Sequence, residues 1–167
     1  RWACILLPHL AMDAVLRVCE QPDLPRVVLE GPVQRRLLKS VNPAAAALGL
    51  RVGIPLATAQ ALAHGFACHV HDPAELGRCH AFLAAWAYQF SSQVSMHYAQ
   101  ALIVEIEGSL SLFGPWPVFQ ARLRQELTAL GFRHRIVLAP NPVAARALVN
   151  VHDDVAVDDT QLVAMLA

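Results

Sequence analysis

The chain has no apolar run long enough to cross a membrane. Lys39, Asn42, Pro43, Arg51 and Pro55 break its most apolar stretch before the roughly 18 residues that a span requires. The N-terminus has no basic segment leading into an apolar core and a small-residue cleavage site, so a cytoplasmic protein is expected. Cysteine is sparse: Cys4, Cys19, Cys68 and Cys79 lie far apart with no CxxC pair, which excludes a disulfide scaffold and favours reduced, mostly buried thiols. There is no Gly-x-x-x-x-Gly-Lys phosphate loop. Ser109 and Ser111 follow Gly108 without a Gly-x-Ser-x-Gly elbow, so they read as turn residues and not as nucleophiles. An excess of one charge is missing too, with 13 basic residues against 13 acidic. Four of the acids, Asp153, Asp154, Asp158 and Asp159, crowd the end, so residues 1–150 hold 13 basic against 9 acidic side chains. That mild positive excess permits nucleic-acid contact without arguing for it.

What is present is a regular alternation of elements. Trp2 to Leu7 is an apolar run suited to a buried strand, stopped by Pro8, and a helix is expected over 11–20. Strands over 26–30 and 37–41 follow. Asn42-Pro43 then opens a helix ending near Gly49, and Gly53-Ile54-Pro55 opens another that Gly65 closes. After a strand over 66–70, Asp72 caps the clearest helix in the chain, with Leu76, Cys79, Leu83, Trp86 and Phe90 on one face. Strands are expected over 94–96 and 101–107, and a long helix carries Trp116, Phe119, Leu123 and Leu127 to its end at Gly131. A strand over 133–139, a helix capped by Asn141, and a last helix from Asp159 or Thr160 complete the order. This is an α+β pattern: an antiparallel or mixed sheet covered by helices on one face, with a small, mostly helical lobe inserted after the first strand. The boundaries are placed at 1–10 with 72–167 for the sheet domain and 11–71 for the lobe.

Four stretches carry a resemblance. Leu37 to Pro55, with Asn42-Pro43-Ala44-Ala45-Ala46-Ala47-Leu48-Gly49 and Gly53-Ile54-Pro55, resembles the fingers motif of Y-family DNA polymerases. Gln100 to Gly108 is similar to the palm segment that reads Asp-Glu, an aliphatic strand and Gly. Ile136 to Leu148 resembles the palm strand and helix that read Gly-Ile-Ser-Lys-Asn-Lys-x-x-Ala-Lys-x-Ala, and Cys4 to Ala14 resembles the first palm strand. Together they span nearly the whole chain and imply a polymerase-type palm with fingers, without thumb, little finger or C-terminal tail.

The residues on which that family's chemistry depends are replaced. Pro8 and Leu10 stand at the two first-strand acids, and Gln100-Ala101 at the Asp-Glu pair. Asp13 stands at the aromatic residue that screens the sugar. Pro43 and Ala46 stand at the Tyr and Arg that grip the triphosphate, and Pro142 at the palm Lys. Phosphoryl transfer needs two Mg²⁺ ions roughly 3.5–4 Å apart, held by bridging carboxylates, with cations to offset the triphosphate. Proline and leucine offer no ligand. The expectation is therefore no catalytic site, no nucleotide site, no metal and no cofactor. The pattern resembles the noncatalytic Y-family homologues of bacterial damage-induced mutagenesis cassettes (the ImuB group), including their Leu-Phe-Gly turn at Leu112-Phe113-Gly114. That resemblance implies an adaptor linking the sliding clamp, an error-prone DnaE-type polymerase and a RecA-like accessory protein, acting in the bacterial cytoplasm at the nucleoid.

Three other readings of the residues stay open. Glu105 and Glu107 alternate on an extended strand and would carry a relocated metal site in an active polymerase. His64, Cys68, His69, His71, Asp72, Cys79 and His80 contain zinc-compatible spacings. Arg35, Arg36 and Lys39 form the densest basic group, and Arg133, Arg135 and Arg146 a second. Each group would neutralise a few phosphates without reading bases.

Overall fold

The computed structural model describes residues 1–166. It forms two compact units, Arg1–Pro8 with Gly77–Ala167 and His9–Leu76. β1 (Trp2–Leu6) opens the first unit. The second contains α1 (Leu10–Leu16), β2 (Arg26–Glu30), β3 (Leu37–Val41), α2 (Pro43–Ala47), α3 (Leu56–Leu62) and β4 (Ala67–Val70). The unit boundary falls within α4 (Pro73–Ala87). The first unit then continues with β5 (Val94–Ser95), β6 (Ala101–Glu105), α5 (Leu110–Phe113), α6 (Trp116–Ala129), β7 (Arg135–Ala139), α7 (Pro142–Leu148), β8 (Val155–Ala156) and α8 (Asp159–Leu166).

The first unit is built on a five-stranded sheet in the order β5-β6-β1-β7-β8. β1 lies antiparallel to both neighbours, with Cys4 opposite Ile103 on one side and Val137 on the other. β8 pairs parallel to β7, so the sheet is mixed. Ala3, Cys4 and Ile5 are all fully buried, and consecutive residues point to opposite faces. Both faces of β1 are therefore covered, as the apolar run over Trp2 to Leu7 implied for this strand. On the Cys4 face the cover is α7, whose Ala144, Ala145 and Leu148 pack with Ile103, Val137 and Val157. Pro142 sits in the first turn of α7, where its missing N–H costs nothing, and Asn141 accepts from the Ala144 amide at 2.9 Å.

The second unit carries its own mixed sheet, in the order β3-β2-β4, with β3 antiparallel and β4 parallel to β2. Its core is Val27, Leu29, Leu38, Ala45, Leu50, Ala59 and Ala63. Asn42 is buried and joins three segments. Its Oδ1 accepts from the Ala45 and Arg26 amides, each at 2.9 Å, and its Nδ2 donates to the Leu24 carbonyl at 2.8 Å and the Pro22 carbonyl at 3.3 Å. Gly53 adopts φ +87° and donates to the Leu38 carbonyl at 2.7 Å, which ties the Gly-Ile-Pro turn to β3.

Several elements differ from the sequence reading. α1 ends at Leu16 instead of 20, because Val18 and Cys19 bond three residues back and the Cys19 thiol donates to the Val15 carbonyl. β6 stops at Glu105, two residues short. Ile106 turns to φ −121°, ψ −13°, and a 3-10 turn over Glu107–Ser109 runs into α5. β8 is a strand that the acidic stretch did not announce. The division between units falls at 8/9 and 76/77, where the sequence placed 10/11 and 71/72.

Candidate functional site

The end of β1 is where the sequence pattern locates the replaced palm acids. Leu6 pairs with Ala101, and the Leu7 amide donates to the Gln100 carbonyl at 2.8 Å. The fold thus sets Leu7, the residue before Pro8, against Gln100. The Pro8 side chain offers no ligand atom, the Gln100 side chain offers one neutral amide, and Ala101 is fully buried. The Ala101 carbonyl is itself engaged by Nε2 of His80, a buried residue of α4, at 3.0 Å. In the second unit, Leu10 is fully buried at the start of α1 and Asp13 is buried on the same helix.

The other positions that the resemblance singled out have structural work. Pro43 and Pro142 are first-turn prolines of α2 and α7. The Ala46 carbonyl accepts from Arg51 Nη1 at 3.0 Å.

Glu105 and Glu107 do not share a strand face, because the chain leaves the extended conformation between them. Glu105 stands opposite Trp2, at the far end of β1 from Pro8, and about 13 Å along the strand from Ala101. Its carboxylate accepts from the Glu107 amide at 2.7 Å and closes the 3-10 turn. Glu107 receives Arg1 Nε at 2.7 Å, and that bond leads the interactions holding its carboxyl below the usual range. Both carboxylates are engaged at Arg1, Glu107 through Nε and Glu105 by the N-terminal ammonium at 3.8 Å.

The histidine and cysteine group is dispersed. His64 and Cys68 are exposed, His69 Nε2 lies 3.2 Å from Arg26 Nη1, and Asp72 caps α4 through the Ala74 amide at 2.9 Å. Burial, reinforced by the Arg26 charge, lowers the pKa of His69. Burial raises that of Cys68, opposed by Arg36. Cys79 and His80 are buried in the first unit. Among the described residues no three His, Cys, Asp or Glu side chains are grouped to hold a metal ion.

The basic residues fall into different states. Lys39 is paired with Glu30 at 2.8 Å. Arg146 lies over the Tyr98 ring, 5.1 Å from its centre, and donates to Asn150. Arg135 donates to the Asn150 carbonyl at 2.9 Å. Arg35 is exposed, and Arg36 is half-buried with a buried Nε that has no hydrogen-bond partner. These two arginines line a groove of about 250 Å³ with Gln34, Pro55, Leu56 and Gln60. The sequence reading missed both glutamines. The bridge between Leu37 and Pro55 that brings the segments together leaves no mark in local composition.

No family model and no curated protein matches the chain. Solved structures do. A post-insertion binary complex of Dbh DNA polymerase aligns with TM-score 0.79 at 12% identity, over 99% of this chain and 50% of that one. An insertion ternary complex of Dbh DNA polymerase aligns with TM-score 0.75 at 12% identity, over 96% and 49%. DinB from Sulfolobus solfataricus aligns with TM-score 0.70 at 14% identity, again over 96% and 49%. The chain spans about half the length of these proteins, and its fold is the palm-and-fingers fold of Y-family DNA polymerases.

Proposed function

We propose that this chain is the polymerase-like core of a noncatalytic adaptor in damage-induced (SOS) mutagenesis and translesion DNA synthesis, of the ImuB type. In this role it links the sliding clamp, an error-prone DnaE-type polymerase and a RecA-like accessory protein in the bacterial cytoplasm, and contacts DNA through basic side chains. The observation that carries the reading is that β1 runs into Pro8 at the end where Leu6 pairs with Ala101 and the Leu7 amide bonds the Gln100 carbonyl. A fold of this type does phosphoryl transfer with carboxylates bridging two metal ions. A proline, an amide and an alanine cannot supply that bridge. The position of Glu105 at the opposite end of the strand supports the same reading.

Primer extension by the full-length protein, with thumb and little-finger portions present, is expected to show no incorporation with Mg²⁺ or Mn²⁺. Mn²⁺-dependent extension that disappears when Asp13, Glu105 or Glu107 is changed to the amide or to alanine would establish an active polymerase with displaced ligands instead. Capture of the tagged protein after DNA damage is expected to recover the clamp and a DnaE-type polymerase, and failure to recover either would reject the adaptor role.

A further inference from the structure

We infer that the groove between the Val33–Arg36 turn and the start of α3 binds one phosphodiester unit of single-stranded nucleic acid. The identity of the ligand rests on the DNA-associated reading above; the groove itself does not.

The lining has the chemistry of an anion site. Arg35 and Arg36 are adjacent, Gln34 and Gln60 add neutral amide donors, and no carboxylate lines the groove. Neither arginine has an ion-pair partner among the described residues. The buried Nε of Arg36 is a donor without an acceptor, and a guanidinium fork matches phosphate oxygens in charge and geometry. The platform is fixed, since Leu56 donates to the Arg36 carbonyl at 2.9 Å and Leu38 to the Ile54 carbonyl at 3.0 Å. At Gly31, with φ +92°, an added Cβ would sit 3.0 Å from the Arg35 carbonyl oxygen. A side chain at position 31 would therefore crowd the turn, which the Arg35 amide closes onto the Pro32 carbonyl at 2.9 Å.

Size and wall chemistry select a single strand. Val33, which is 74% exposed, Pro55 and Leu56 give the groove an apolar side against which a sugar or base edge can lie while its phosphate meets the arginines. A duplex would need a broad basic face. Lys39, the next cation along β3, is already neutralised by Glu30, and Arg51 donates to the Ala46 and Leu50 carbonyls. The contact is therefore confined to the groove and leaves Lys39 out.

The test is fluorescence anisotropy with a labelled deoxythymidine 10-mer, titrated over salt, using the chain and four variants. Arg35→Ala, Arg36→Gln and Gln60→Glu are each expected to weaken binding about tenfold. Arg35→Ala should also lower the log–log salt slope by about 0.7. Lys39→Ala is expected to bind as the unaltered chain does. Arg35 and Gln60 are exposed, so their variants test the groove without disturbing the core. The proposal is overturned by unchanged affinity in Arg35→Ala and Gln60→Glu, by an equal loss in Lys39→Ala, or by a duplex of the same length bound as tightly as the single strand. Absence of binding by the unaltered chain would also overturn it, whereas recovery of the clamp and DnaE-type polymerase separately checks the adaptor role.

Discussion

His80 on α4 holds the backbone carbonyl of Ala101 at 3.0 Å, at the first residue of β6 and beside the end of β1. A histidine that spacing alone placed among zinc ligands is instead a buried fastener between helix and sheet. His80→Leu leaves that carbonyl unpaired in the interior and is expected to destabilise the fold by about 1–3 kcal/mol. His80→Gln, which can still donate, should recover part of the loss. Urea unfolding of both variants checks this, and equal stabilities would remove the role assigned to the hydrogen bond.

Asn42 makes four hydrogen bonds from a buried position. Its loss in Asn42→Ala removes a helix cap and orphans donors and acceptors on two other segments, at a cost of roughly 2–4 kcal/mol. Asn42→Asp keeps the cap acceptor but points a carboxylate at the carbonyls of Pro22 and Leu24, so it should not rescue. Thermal unfolding of the two variants distinguishes a simple cap, which aspartate would satisfy, from the junction described.

Asp153 provides an acid-sensitive contact. Burial pushes its carboxyl up, but Arg124 at 2.6 Å and the Ile136 and Asp154 amides pull harder, and the pKa lies below the ordinary value. The native state therefore binds the proton less readily than the unfolded chain. The stabilisation is complete above about pH 4 and is lost as pH falls through the native pKa. Asp153→Asn is expected to flatten the acid limb of stability against pH while leaving its shape near neutrality unchanged. Melting curves from pH 2 to 7 measure both.

The thiols should separate by reactivity. Burial, offset in part by Arg146, raises the pKa of Cys4 to about 12, whereas Cys68 is exposed and raised less by its own partial burial. A thiol reagent at pH 8 is expected to modify Cys68 first and Cys4 only on unfolding. Modification of native Cys4 at the rate of Cys68 would contradict the covered face of β1.

Local chemistry made much of the fold legible. Asn42-Pro43, Asp72-Pro73 and Asn141-Pro142 announce helix starts because side-chain caps and first-turn prolines act within a few residues. All three start where expected. The strand at 101–105 was overrun by two residues because Glu105 turns its carboxylate onto the next amides, a competition that an aliphatic alternation does not reveal. β8 escaped notice because its two residues become a strand only by pairing with Val137 and Leu138.

The sequence by itself determined the order of most elements and the starts of the capped helices, since each depends on residues close in the chain. Tertiary structure alone decided that the Leu7 amide meets the Gln100 carbonyl, that Glu105 stands opposite Trp2, and that His80 serves a carbonyl. It also decided that Arg35 and Arg36 share a groove with Gln60 while Lys39 is spent on Glu30. The reason is physical: strand register and long-range pairing are settled by burial across the whole sheet. A one-residue slip would turn every side chain to the opposite face, and no local pattern carries that information.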